Sequence, residues 1–220
     1  MKSSCYVIDP EGDVLLVINE VPSSGHPISL KKEDSSVSTA TDTKDTIDCT
    51  SSRNGQGGIE IHASSRHLTL ASRFFDEKLS SKDKTRSSDG MVVVTVEVED
   101  VDALLIVLNI MHCRTSKVPR LVGLQMLCMI AGLVYKCGCL EAVAFFSSIW
   151  IDNLKGNLPG CLSEDLVRWI FISWVFRHEN IFQKMTLVAV RHSVGPIQHY
   201  GLPIPKPLLR GFFLNDSQEA

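Results

Sequence analysis

The sequence predicts an α+β domain: a small β-sheet flanked by helical hairpins, followed by a C-terminal helical extension. Two observations carry that prediction. Short runs at residues 59–63 (IEIHA) and 92–99 (VVVTVEVE) alternate apolar with polar side chains, as a half-buried strand must when successive residues face opposite ways. From Val101 onward the apolar residues recur instead every three or four positions, the period of a helix.

Composition sets the outer limits. A chain of 220 residues holds one good-sized domain with a full core, or a compact domain plus a helical extension. With 44% hydrophobic and 21% charged residues the whole is globular, and a net charge of −3 argues against a nucleic-acid binder, which needs clustered basic side chains to displace counterions. Lys82, Lys84 and Arg86 are the densest basic group, but they alternate with Ser81, Asp83, Ser87 and Asp89 as in a solvated loop. No secretory signal is expected, because MKSSCYVIDPEGD has no long apolar run before a small-residue cleavage site. The uncharged run from Leu121 to Tyr135 is shorter than the roughly 20 residues that cross a bilayer and is closed by Lys136 and Glu141, so it reads as a buried core helix. Seven cysteines scattered through apolar segments suit free thiols in a reducing compartment, which points to cytoplasm or nucleus and to no membrane.

In chain order, Tyr6-Val7-Ile8 reads as a first strand. Asp9-Pro10-Glu11-Gly12 is a turn signal, since proline presets φ and glycine accepts a positive value. Val14 to Ile18 then returns as the second strand of an apolar hairpin. Residues 22–57 turn to Ser, Thr, Asp, Lys and Gly, with too little to bury to offset ordering entropy, and are expected to form a disordered insertion. Next comes GIEIHASSRHLTLASRFFDEKL, a short strand running into a helix-forming segment. A polar loop, Ser80 to Gly90, precedes the clearest strand, with Val94, Val96 and Val98 alternating against Thr95 and Glu97. Asp100 and Asp102 stand at a helix start, where carboxylates cap free amides. Val101, Leu104, Leu105, Leu108, Met111 and His112 mark that helix's apolar face. Arg114 to Arg120 is a loop, Leu121 to Tyr135 a helix broken by Cys137-Gly138-Cys139, and Leu140, Val143, Ala144, Ser147, Trp150, Ile151 and Leu154 a further stripe. Ser163 with Glu164 and Asp165 starts another helix whose face is Val167, Ile170, Phe171 and Trp174. Asn180 to Ser193 forms the last, with Phe182, Met185 and Ala189 inward and Gly195-Pro196 as its stop.

Leu68, Ser72 and Phe75 fall at the spacing L-x-x-x-S-x-x-F, and Asp13-Val14 opens the strand that precedes them. This combination resembles the BTB/POZ fold. The phrases ALLIVLNIMH, IWIDNL, ISWVF and YGLPIP are similar to a divergent branch of that family common in filamentous fungi. The resemblance implies a BTB/POZ-like domain at residues 4–154 interrupted at about 22–57, a helical extension at 155–195 and a tail at 196–220. It implies that Leu68 and Phe75 bury a helical hairpin under the sheet while Ser72 lets two helices approach closely. The function it implies is non-catalytic protein–protein interaction without a cofactor: self-association as a homodimer, or recruitment of a partner. A substrate adaptor for a cullin-type ubiquitin ligase is the alternative, although no kelch or zinc-finger partner domain is recognisable. The histidine that many relatives place ahead of the signature leucine corresponds here to Ser64, with His62 two residues earlier, so surface properties attached to that histidine do not transfer.

Other residues carry chemistry in principle. Cys137 and Cys139 form a C-x-C pair, but a zinc site needs a second pair, and only Cys128 and Cys161 lie nearby in sequence; buried free thiols are expected. A cysteine hydrolase would need His112 or His192 to meet a thiol such as Cys113, and no nucleophile motif surrounds any cysteine. Gly55, Gly57 and Gly58 lack the G-K-[ST] of a phosphate loop and read as a flexible joint. His62 reads as an ordinary strand histidine. Trp150, Trp169, Trp174, Phe145, Phe146, Phe171 and Phe176 lie on helical stripes and are expected in the core rather than in a ligand groove.

Overall fold

In the computed structural model the described residues are 4–20, 58–81, 85–193, 195 and 197–204. The expected insertion at 22–57, Gly55, Gly57, Lys82, Lys84 and all of the tail beyond Ile204 lie outside them.

Four β-branched, apolar stretches become strands: β1 (Ser4–Val7), β2 (Val14–Glu20), β3 (Ile59–Ala63) and β4 (Val92–Val98). They form one sheet in the order β1-β3-β2-β4. β2 runs antiparallel to β3, with Ile18 opposite Ile59, and parallel to β4, with Val14 opposite Val92. β1 runs parallel to β3. The expected hairpin between the first two strands is therefore corrected. The turn forms, with Gly12 N–H donating to Asp9 O at 3.0 Å, but it carries the chain past the end of β3. A Cβ on Gly12 would lie 2.5 Å from Ala63 O, so only glycine lets the turn press against that strand. β3 is the strand that needs two neighbours: Ile61 and Ala63 are fully buried, and both of its edges are paired. A two-residue period shows which face of a strand is buried and not which strand lies beside it.

The chain after β3 does not continue as one helix. α1 (Ser65–Ala71) and α2 (Arg73–Ser80) meet at Ser72, which is extended at φ −142°. Its N–H closes α1 on Leu68 O at 3.0 Å, and its hydroxyl accepts the Phe75 N–H at 3.3 Å to open α2. One residue thus ends a helix and caps the next. α3 (Val101–Met111) starts where expected, with Asp100 Oδ1 accepting the Ala103 N–H at 2.8 Å. α4 (Leu124–Cys137) begins later than the apolar run and stops at Gly138, whose φ of 62° suits glycine. α5 (Leu140–Leu154) buries Val143, Ser147, Trp150 and Ile151, but Ala144, expected inward, is exposed. α6 (Glu164–Val175) is capped by the Ser163 hydroxyl and held at its first turn by Arg168, which pairs with Glu164 and Asp165. α7 (Glu179–His192) packs on α6.

α4 is the hub, packing on α2, α3, α5 and α6. One buried cluster runs from the sheet through Leu104, Leu108, Leu127 and Ile130 to Trp169, Ile170, Phe171 and Met185, so the last two helices share the core of the first part. Burying a side chain such as Phe75 or Phe171 completely contributes about 1.5–3 kcal/mol, and both are 0% exposed. The segment after α7 turns back over α4: Ile197 and Ile204 are buried, and Pro203 packs against Gly132. Among the described residues no helix is long and apolar enough to cross a membrane.

Candidate functional site

Leu68, Ser72 and Phe75 are all buried, Leu68 and Phe75 at 0% exposed and Ser72 at 2%. Because α1 and α2 are short and set at an angle by the extended Ser72, both side chains reach the same core. The Ser72 hydroxyl donates to Cys137 O at 2.6 Å, joining the start of α2 to the last turn of α4. A larger side chain would force those two helix ends apart, which is the close approach expected of this serine.

Around the N-terminal end of α1 the polar groups come from far along the chain. Asp13, at the start of β2, accepts the Ser65 N–H at 2.8 Å and the Ser65 hydroxyl at 2.7 Å. Burial works to raise its pKa, but these bonds and the Arg66 charge outweigh it and hold the carboxyl below its ordinary value. Ser64 is buried and donates its N–H to His112 Nε2 at 3.0 Å. His112 Nδ1 lies 2.8 Å from Leu108 O. Burial lowers the His112 pKa, with the Leu108 bond and Asp9 opposing and His67 and Arg114 reinforcing the shift. Arg114 itself donates to Val7 O and Ile8 O at 2.9 and 3.1 Å, tying the end of β1 to the segment after α3.

The cysteine and histidine candidates separate. With both His112 nitrogens held by backbone groups, the ring has no nitrogen left to take a proton from Cys113, which follows it at φ 57° and is exposed. His192 is exposed at the end of α7. Cys137 and Cys139 are buried, as is Cys128, while Cys161 is exposed in the connector before α6. Burial pushes the Cys128 thiol up to about 12 and the Cys137 thiol up to about 11, and it raises Cys139 as well, helped by Cys137. These three thiols stay protonated at neutral pH and are poor nucleophiles and ligands. Among the described residues no group of three or more His, Cys, Asp or Glu side chains is placed to hold a metal ion. His62 is half-buried on β3 opposite Leu15, and Gly58 stands just before β3 with open space around it. Arg86 donates to Gly90 O at 2.7 Å within its loop.

Of the aromatic residues, Trp150, Trp169 and Phe171 are buried and Phe146, Trp174 and Phe176 are partly so, while Phe145 is 70% exposed, contrary to its expected core position. The Trp150 indole N–H donates to Pro119 O at 2.9 Å. Trp174 packs edge-on against Tyr135 and, with Phe182, Arg177 and Glu179, lines a groove of about 520 Å³ between α4 and the α6–α7 turn. A second groove of about 330 Å³ has Met129, Leu133 and Pro203 along its walls and Glu97 and Glu99 at its rim. Among the described residues the least covered large apolar side chain is Leu70 on α1, 90% exposed, followed by Phe145 on α5 and Leu121 before α4 at 70% each. His67 and the two grooves went unnoticed in the sequence. His67 stacks on His112 across 45 positions of chain, and no local pattern signals that partnership.

No protein-family model matches the chain, and no curated protein matches it.

Proposed function

We propose that the protein is a BTB/POZ-like interaction module of the divergent type common in filamentous fungi, non-catalytic, acting by self-association or by recruiting a protein partner. The observation that carries this reading is the shared burial of Leu68, Ser72 and Phe75 where α1 gives way to α2. The order of elements agrees with it: a strand opening at Asp13-Val14, a strand leading into two short helices, a strand leading into a longer helix, then paired helices. Leu70 supports an interaction role, since a leucine 90% exposed on α1, where Leu68 is the buried residue, is apolar surface that a second chain could cover.

Light scattering at micromolar concentration tests self-association. The intact chain is expected to run as a dimer, and Leu70→Glu as a monomer with unchanged circular dichroism. A monomeric parent chain that also brings down no partner, a cullin scaffold included, on affinity purification would end the proposal.

A further inference from the structure

α1 has no capping side chain of its own. Its leading amides are satisfied instead by Asp13, through Ser65, and by His112, through Ser64. The His112 ring accepts at Nε2 and donates from Nδ1 to Leu108 O. Only the neutral ring with its proton on Nδ1 does both. A second proton, on Nε2, would set one N–H against another and break the bond to Ser64. His67, on α1, stacks on this ring with centroids 5.0 Å apart and planes 27° apart, and its buried Nδ1 has no hydrogen-bond partner. A charge on either imidazole is therefore felt by both.

We propose that His112, with His67 stacked against it, is an acid-sensitive latch that holds the N-terminal end of α1, the helix carrying Leu70, against the end of α3. The charged groups facing the ring are Asp9 from the β1–β2 turn, which favours its protonation, and His67 from α1 and Arg114 from beyond α3, which oppose it. The sign follows from the depressed pKa in the fold. The contribution of His112 is complete above the ordinary imidazole value of 6.5 and is lost as pH falls through the lower folded value. Asp13 keeps its charge well into acid, since its carboxyl already titrates below 3.8, so the two anchors separate by pH.

The test is nitrogen NMR of the His112 ring with amide exchange of the full chain, between about pH 7.5 and about pH 5. The expected result is an Nδ1-protonated neutral ring at the upper end. A transition below 6.5 should follow, across which protection of the Ser64 amide, corrected for the intrinsic pH dependence of exchange, falls at least about tenfold, while protection of Ser65, held by Asp13, and of the α4 amides does not change. His67→Phe removes an opposing charge without touching the latch bonds and moves the transition to higher pH. Asp13→Asn leaves its midpoint in place. A ring protonated on Nε2 at neutral pH, exchange of Ser64 unchanged through the transition, equal acceleration in α4, or a midpoint that follows Asp13→Asn would each overturn the latch.

Discussion

Ser72→Ala removes a single oxygen and disturbs two helices, α2 and α4. The hydroxyl is 2% exposed, donates to Cys137 O at 2.6 Å and accepts from Phe75 N–H at 3.3 Å. Losing an N-cap costs about 1 kcal/mol. Leaving the Cys137 carbonyl buried without this donor adds about 1–3 kcal/mol. The longer contact to Phe75 carries less than the short one to Cys137, so a total of about 2–3 kcal/mol is expected. Urea unfolding followed by tryptophan fluorescence reads this as a lower midpoint at unchanged slope. Ser72→Val also inserts two methyl groups between the start of α2 and the end of α4, and is expected to cost a further 1–3 kcal/mol or so from overpacking. An alanine variant within about 0.5 kcal/mol of the parent would refute the argument, because ordinary surface substitutions reach that far.

Gly138→Ala places a methyl group at φ 62° and 3.3 Å from Arg73 Cβ, so a loss of about 1–2 kcal/mol is expected in thermal unfolding, and no loss would show that α4 does not end in this conformation. Native alkylation at neutral pH should modify the exposed Cys113 and Cys161 and spare Cys128, Cys137 and Cys139 until denaturant is added. Peptide mass spectrometry reads the pattern, and early modification of Cys137 would contradict its burial.

Three of the helices after β4, α3, α4 and α6, were legible because each is bounded by a residue whose role is local. Asp100 and Ser163 cap where their sequence places them, and Gly138 ends α4. The buried trio of Leu68, Ser72 and Phe75 was legible as a spacing, but the break between α1 and α2 was not, since HLTLASRFF contains neither glycine nor proline. Ser72 turns extended at this point with its hydroxyl bonded across to α4, a contact that periodicity does not contain. Strand order was hidden for a similar reason: β1 alternates in the same way whether it pairs with β2 or with β3. Phe145 sits on a strongly apolar helix, where composition hides which residues of the stripe lack a neighbour. The latch between His112 and Ser64 joins residues 48 apart and leaves no trace in either segment.

The pairing of Ile18 with Ile59 has one more consequence. β2 ends at Glu20 and β3 begins at Ile59, neighbouring points of the sheet, so pairing these two strands does not require a connection of any particular length. Doubling such a connection costs only about 0.6 kcal/mol in closure entropy. The junction is therefore a natural graft point: a tight turn, a reporter or a foreign epitope spliced there would inherit a ready-made pair of anchors and leave the register of both strands intact.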